Sequence, residues 1–185
     1  MRIRLTVALG ALVLALSGCV PTAEPDPIPP TPTVTPVFAT EEEALAAAEA
    51  AYREYLAVSD AILADGGRDR ARLQSVATGE ALQIDTDGFA EFEANGLRSV
   101  GLTTYSGFSL QSYDPSAPAG ANVVRAYVCA DVSKVDVLDA HGASVVDPSR
   151  QSVTRFEVGF DQVSNKTRAL IVSSKDVWSG DTSCP

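Results

Sequence analysis

An α+β domain over residues 40–185 is the fold class that this sequence predicts, on three observations. Apolar residues recur at helical spacing up to Gly96; after it they alternate with polar ones at strand spacing. The helices come first and the strands follow in one run, the order of an α+β domain rather than of βαβ units. Hydrophobic residues make up 45% of the 185-residue chain, enough to bury a core. The expected arrangement is N-terminal helices packed on the concave face of a curved antiparallel sheet of four or more strands.

Thr40-Glu41-Glu42-Glu43 has the form of a capping box, with Thr40 as the cap and Glu43 reaching back to its amide. Three acidic residues in the first turn also suit the helix dipole. From there to Ala64, Leu45, Ala48, Tyr52, Tyr55, Leu56, Ser59, Ile62 and Leu63 trace one stripe of a long helix, which Gly66-Gly67 ends. A short helix is expected over Asp69–Val76. A third begins at Thr78-Gly79, carries Leu82, Phe89 and Phe92, and stops at Asn95-Gly96.

Four strands should follow. Leu97–Tyr113 places Val100, Leu102, Phe108 and Leu110 on one face, and a Pro-rich turn runs from Asp114 to Gly120. Val123–Leu138 is a long second strand, broken by Asp139-Ala140-His141-Gly142. Val153–Val163 alternates Phe156, Val158 and Phe160 with Arg155, Glu157 and Asp161. Ser164–Thr167 turns into Ala169–Trp178. Long, bent strands need a filler for their concave face, and the first helix is the candidate. In element order and length, residues 40–180 resemble the nuclear-transport-factor-2-like cone, the fold of ketosteroid isomerases, scytalone dehydratases and polyketide cyclases. That resemblance implies a cone-like domain. A further short strand pair between the helices, present in many members, is not placed by this sequence, other helix-then-sheet α+β folds stay open, and no family motif transfers a catalytic residue.

The first 39 residues have a different character. A basic head (Arg2, Arg4), an uncharged apolar run from Leu5 to Leu16 and a small-residue ending make a secretory signal peptide over 1–18. The run is too short to span a bilayer, which takes about 20 residues. Leu16-Ser17-Gly18-Cys19 resembles the lipobox of bacterial lipoproteins. The resemblance implies diacylglycerol, palmitate-like acyl chains included, on the Cys19 thiol and a lipid-anchored protein facing the extracytoplasmic side of the cell membrane. Residues 19–39 then read as the lipidated Cys plus a Pro/Thr-rich stalk, since Val20–Ala39 holds seven of the eleven prolines. As extended chain at about 3.1 Å per residue it would reach on the order of 60 Å.

The whole chain carries 14 Lys and Arg against 24 Asp and Glu, a formal charge of −10. Arg2 and Arg4 lie in the leader, which has no acidic residue, so the rest has 12 basic and 24 acidic residues, −12. Such a charge excludes phosphate-reading nucleic-acid binders. It also disfavours electrostatic adsorption to anionic lipid.

Two cysteines remain besides Cys19, and in an exported protein Cys129 and Cys184 are expected to form a disulfide. With one histidine they do not make a zinc site, and no metal or cofactor is expected. His141 sits in a turn signal and reads as a solvated loop residue. Tyr127, Asp131, Arg155, Glu157 and Asp176 are the polar strand residues from which a catalytic group could come, and they read as solvent-side partners of core residues. Tyr52, Tyr55, Phe89, Phe92 and Trp178 read as core aromatics. No nucleophile elbow or phosphate loop is present. The function these residues support is a membrane-tethered, non-catalytic binding or protein-interaction domain that engages a protein or a small apolar ligand. The alternative is a small cone-fold isomerase, dehydratase or hydrolase with an apolar pocket.

Overall fold

The computed structural model describes residues 36–163, 169–180 and 183–184. The expected signal peptide, lipobox with Cys19, stalk as far as Thr35 and turn at Ser164–Thr167 lie outside them. Residues 34–185 form a compact unit of their own.

Helix α1 spans Glu41–Ala64. The Thr40 hydroxyl accepts from the Glu43 amide at 3.2 Å, while the Glu43 carboxylate accepts from the Ala39 amide at 3.0 Å, one residue before the amide expected. At its end Gly67 N donates to Ile62 O at 2.9 Å, and both Gly66 and Gly67 adopt left-handed backbone, which glycine enters without Cβ strain. Of the expected stripe Ala48, Tyr52, Tyr55, Ser59 and Ile62 are buried, Leu45, Leu56 and Leu63 are half-buried, and Ala44 and Asp60 are buried besides. A 3-10 turn replaces the short second helix over Arg70–Ser75 and buries Leu73. Helix α2 spans Gly79–Ala94 and buries Ala81 and Phe89; Phe92 is only half-buried.

Two of the expected long strands are each divided in two, for one physical reason. The expected strand 97–113 divides into β1 (Arg98–Val100) and β2 (Thr104–Tyr113); the expected strand 123–138 divides into β3 (Val124–Asp131) and β4 (Asp136–Leu138). Both bend at the same level. Gly101 (φ +91°) lies against the Lys134 carbonyl so closely that a Cβ there would stand 2.0 Å from it. Arg150 holds the second corner, donating to Val132 O at 2.9 Å and Val135 O at 2.8 Å. Val100 and Leu102 are therefore exposed at the corner rather than sharing a buried face with Phe108 and Leu110. β5 (Val153–Gln162) and β6 (Leu170–Val177) complete the set.

The domain is α+β, with the helices packed against a four-stranded antiparallel sheet ordered β2-β3-β5-β6, and β1 and β4 pairing as a second small sheet. Helix α1 packs on β1, β2, β3 and β6, and α2 on β6. Facing the helices are Val124, Ala126 and Val128 of β3, with Phe160, Val158 and Phe156 opposite them on β5. Burying a side chain such as Phe160 contributes about 2–3 kcal/mol. Tyr52 anchors an aromatic cluster with Tyr105 at 5.4 Å and Phe108 at 5.9 Å between ring centroids.

The boundary drawn between stalk and domain at residue 39 falls inside this unit. Phe38 is 2% exposed, packs edge-on against Tyr113, and its amide donates to the Tyr113 hydroxyl at 3.1 Å. Proline content marks where helix and sheet are impossible, but it does not register one aromatic that packs after the last proline.

Candidate functional site

The polar strand residues singled out in the sequence lie on the sheet face turned away from the helices. Tyr127 and Arg155 alternate with inward residues of β3 and β5, and Glu157 pairs across with Asp176. There Trp178 lies 4.8 Å from Tyr127 and the Arg155 guanidinium 4.9 Å above the same ring. Glu157 is held by Arg125 at 2.9 Å. Asp131 closes a turn: the Ser133 amide donates to it at 2.7 Å and, with the Ser133 hydroxyl, holds its carboxyl below the ordinary range. Asp161, expected to face solvent, is buried and accepts from the Asn122 amide at 3.0 Å. His141 is exposed in its turn, where its amide donates to Asp139 at 2.8 Å. These groups do not converge on a common point.

Across the same face runs the C-terminal tail. Trp178 N donates to Arg155 O at 2.9 Å, and Cys184 is disulfide-bonded to Cys129 in β3. Arg155 also donates to Ser183 O at 3.2 Å.

Chemistry gathers instead on the helix side, in a recess of about 230 Å³ between α1, α2 and the end of the sheet. Leu56, Leu63, Phe89, Val132 and Phe156 give it apolar walls. Tyr55 of α1 donates its hydroxyl proton to Asp85 of α2 and accepts from the Lys175 ammonium of β6. Lys175 Nζ also donates to the second Asp85 oxygen at 3.2 Å. The Asp85 and Lys175 side chains are only 13% and 26% exposed, so this pair is little screened by water. Burial, then the Asp85 charge and the bond to it, push the Tyr55 pKa far above its ordinary value. Its hydroxyl stays protonated.

Beside this triad Asp60, buried on α1, accepts from Thr103 N at 2.9 Å and Thr103 Oγ1 at 2.8 Å, fastening α1 to the link between β1 and β2. Both carboxylates in the recess are therefore occupied by protein donors. Ser59 differs: its hydroxyl lies beside that of Tyr55 and works against the rise in the phenol's pKa. Ser59 Oγ is the one buried side-chain polar atom without a hydrogen-bond partner among the described residues. Leaving such a group unpaired costs about 1–3 kcal/mol. The recess adjoins a wider groove of about 410 Å³, which shares Leu56, Asp60 and Thr103 with it and is rimmed by the exposed Leu102.

No protein-family model and no curated protein matches the chain. Among solved structures it is similar to the crystal structure of the intermembrane space region of chloroplast protein ARC6, at 22% identity and a TM-score of 0.45, over 74% of this chain and 97% of that one. The function has to be read from the residues themselves.

Of the recess residues, Tyr52, Tyr55 and Phe89 are legible in the sequence as core aromatics; Asp60, Asp85 and Lys175 are not singled out by it. A signal exists for two of them. Asp85 lies four residues from Ala81 and four from Phe89, on the buried stripe of α2, and Asp60 follows Tyr52 and Leu56 at the same spacing on α1. Lys175 carries none, because a register shift between Gly159 and Phe160 inserts Ser173 and reverses the alternation beyond it. Among the described residues no group of three potential ligands could hold a metal, and no helix is long and apolar enough to cross a membrane.

Proposed function

We propose that this chain is an extracytoplasmic lipoprotein, anchored through diacylglycerol on Cys19, whose folded domain binds a ligand without transforming it. The observation behind the binding reading is that both carboxylates in the recess are already paired. Asp85 is shared between Tyr55 and Lys175, and Asp60 is taken up by Thr103. Every oxygen of both carboxylates already accepts from a protein donor, which lowers its readiness to take a substrate proton as a general base.

The enzyme alternative has one observation in its favour, a buried carboxylate next to a tyrosine in a water-accessible recess. Two features weigh against it. Lys175 neutralises that carboxylate. The tyrosine pKa is raised rather than lowered, the opposite of what a catalytic phenolate needs. The triad instead ties α1, α2 and β6 together behind an apolar wall.

The test is to titrate the chain with small apolar fragments by NMR and follow the same samples over days. Saturable shifts at Phe89 and Phe156 with unchanged fragments are expected. Conversion of a bound fragment that Asp85→Asn abolishes would establish the enzyme reading instead.

A further inference from the structure

We infer that the recess takes a small organic cation, a protonated amine on an apolar body, with Asp60 as its counter-ion. The inference rests on the binding reading above and adds the chemical class of the ligand.

Charge decides the class. The charged side chains lining the recess are Asp60, Asp85 and Lys175, two acids against one base. Lys175 is bound to Asp85 at 3.2 Å. Asp60 is 8% exposed, and among the described residues no ion pair reaches it. Arg53 borders the adjoining groove together with Asp60, but it lies 3.8 Å from Glu49 and is largely exposed. Buried charges are ordinarily paired, so a carboxylate held here without a counter-ion is incomplete until a cation reaches it. Thr103 donates once to each Asp60 oxygen, whereas a carboxylate has about four lone-pair sites. Each oxygen can therefore accept again, from a ligand N–H.

The walls suit the same guest. Tyr52, Tyr55, Phe89 and Phe156 line the recess, and aromatic ring faces attract cations. One ammonium is already held in this way: Lys175 Nζ lies 5.0 Å from the centroid of the Tyr55 ring and 6.0 Å from that of Phe156. An anion would meet the excess of negative charge. A metal ion would find no group of three Asp, Glu, His or Cys ligands among the described residues.

Size comes from the volume. About 230 Å³ exceeds the ~150 Å³ apolar cavity that accepts benzene and falls short of the ~300 Å³ at which pockets begin to hold drug-sized ligands. A body on the order of ten non-hydrogen atoms fits.

The experiment uses residues 20–185 with the disulfide intact, which retains the whole compact unit 34–185. Benzylammonium and benzyl alcohol, matched in shape and differing in charge, are titrated by NMR. The titration is run in about 1 M sodium chloride, where a Debye length of about 3 Å removes loose attraction to an acidic surface. Both probes should saturate, with magnetisation transfer from the Phe89 and Phe156 rings. The ammonium should bind about tenfold more tightly, the margin of a charged over a neutral hydrogen bond. In Asp60→Asn that preference should disappear. The wild-type chain carries a second readout that does not depend on the variant's folding: the Asp60 carboxyl carbon should shift with the ammonium and not with the alcohol. Equal affinities in the wild-type chain would overturn the inference and leave an apolar site, with the binding reading intact. A preference that leaves the Asp60 carbon unmoved, or survives in a folded Asp60→Asn, would overturn the role of Asp60. If neither probe contacts those rings in the wild-type chain, the binding reading fails with the inference.

Discussion

Tyr52 and Tyr55, nearly one turn apart on α1, carry the clearest consequence at the scale of single residues. Burial is the main reason that the pKa of each stands above the ordinary 10.0, with nearby carboxylate charge adding to it. The unfolded chain releases these protons near pH 10, while the native chain keeps them. Above pH 10 the native state thus binds more protons, and stability falls as the pH rises; below it these residues cost nothing. The expected slope is about 1.4 kcal/mol per pH unit for each tyrosine. Urea unfolding at pH 9, 10 and 11 checks this, and Tyr52→Phe or Tyr55→Phe should each remove about half the decline. A slope unaffected by both would mean that neither ring is sealed from solvent. How much of this was legible varies by residue. The tyrosines stand on a visible apolar stripe. Asp85 and Asp60 stand on stripes too, yet a carboxylate at such a position looks like a surface charge until its donors are known. Lys175 and Asp176 exchange faces through one inserted residue, which alternation alone could not reveal.

Among the elements, the C-terminal tail has the largest leverage for its length. It leaves β6 at Val177, lays Trp178 on Tyr127 and ends at the bond to Cys129, closing a loop across 55 residues of sequence separation. In the chain-entropy model such a closure contributes about 4 kcal/mol. Cys184→Ser should lower the unfolding free energy by up to that amount. It should also raise the accessibility of Trp178 to an acrylamide quencher while β3 and β5 stay paired. Unchanged quenching would show that Trp178 and Arg155 hold the tail unaided. The small β1–β4 sheet is the element that the sequence concealed. Alternation continues through Gly101 and through Val132–Val135, so each pair of strands reads as one, and only the contact between the two corners shows why both must bend.

For the whole molecule, charge bears directly on the proposed membrane attachment. With −12 on the chain beyond the leader, electrostatics repels it from anionic membranes. The proposed attachment through Cys19 would then depend on acyl chains, each buried methylene of which adds about 0.8 kcal/mol. Cys19→Ser should move the protein from the membrane to the soluble extracytoplasmic fraction, with the domain still folded and its disulfide formed. Retention of the variant on membranes through an alkaline carbonate wash would rule out the lipid tether.

Local patterning by itself determined the α+β class, the caps at Thr40, Gly66-Gly67 and Asn95-Gly96 and the run of strands, because each depends on residues within a few positions of one another. The proposed export, Cys19 anchor and stalk rest on the sequence alone, as the residues that would carry them lie outside the described structure. Tertiary structure decided the rest. Corner glycines and register shifts determine which polar side chains turn inward, and only then do Tyr55, Asp85 and Lys175, from α1, α2 and β6, meet beside an unpaired Ser59. A buried polar group takes its meaning from its partners, and those partners are set by packing across the fold rather than by nearness along the chain.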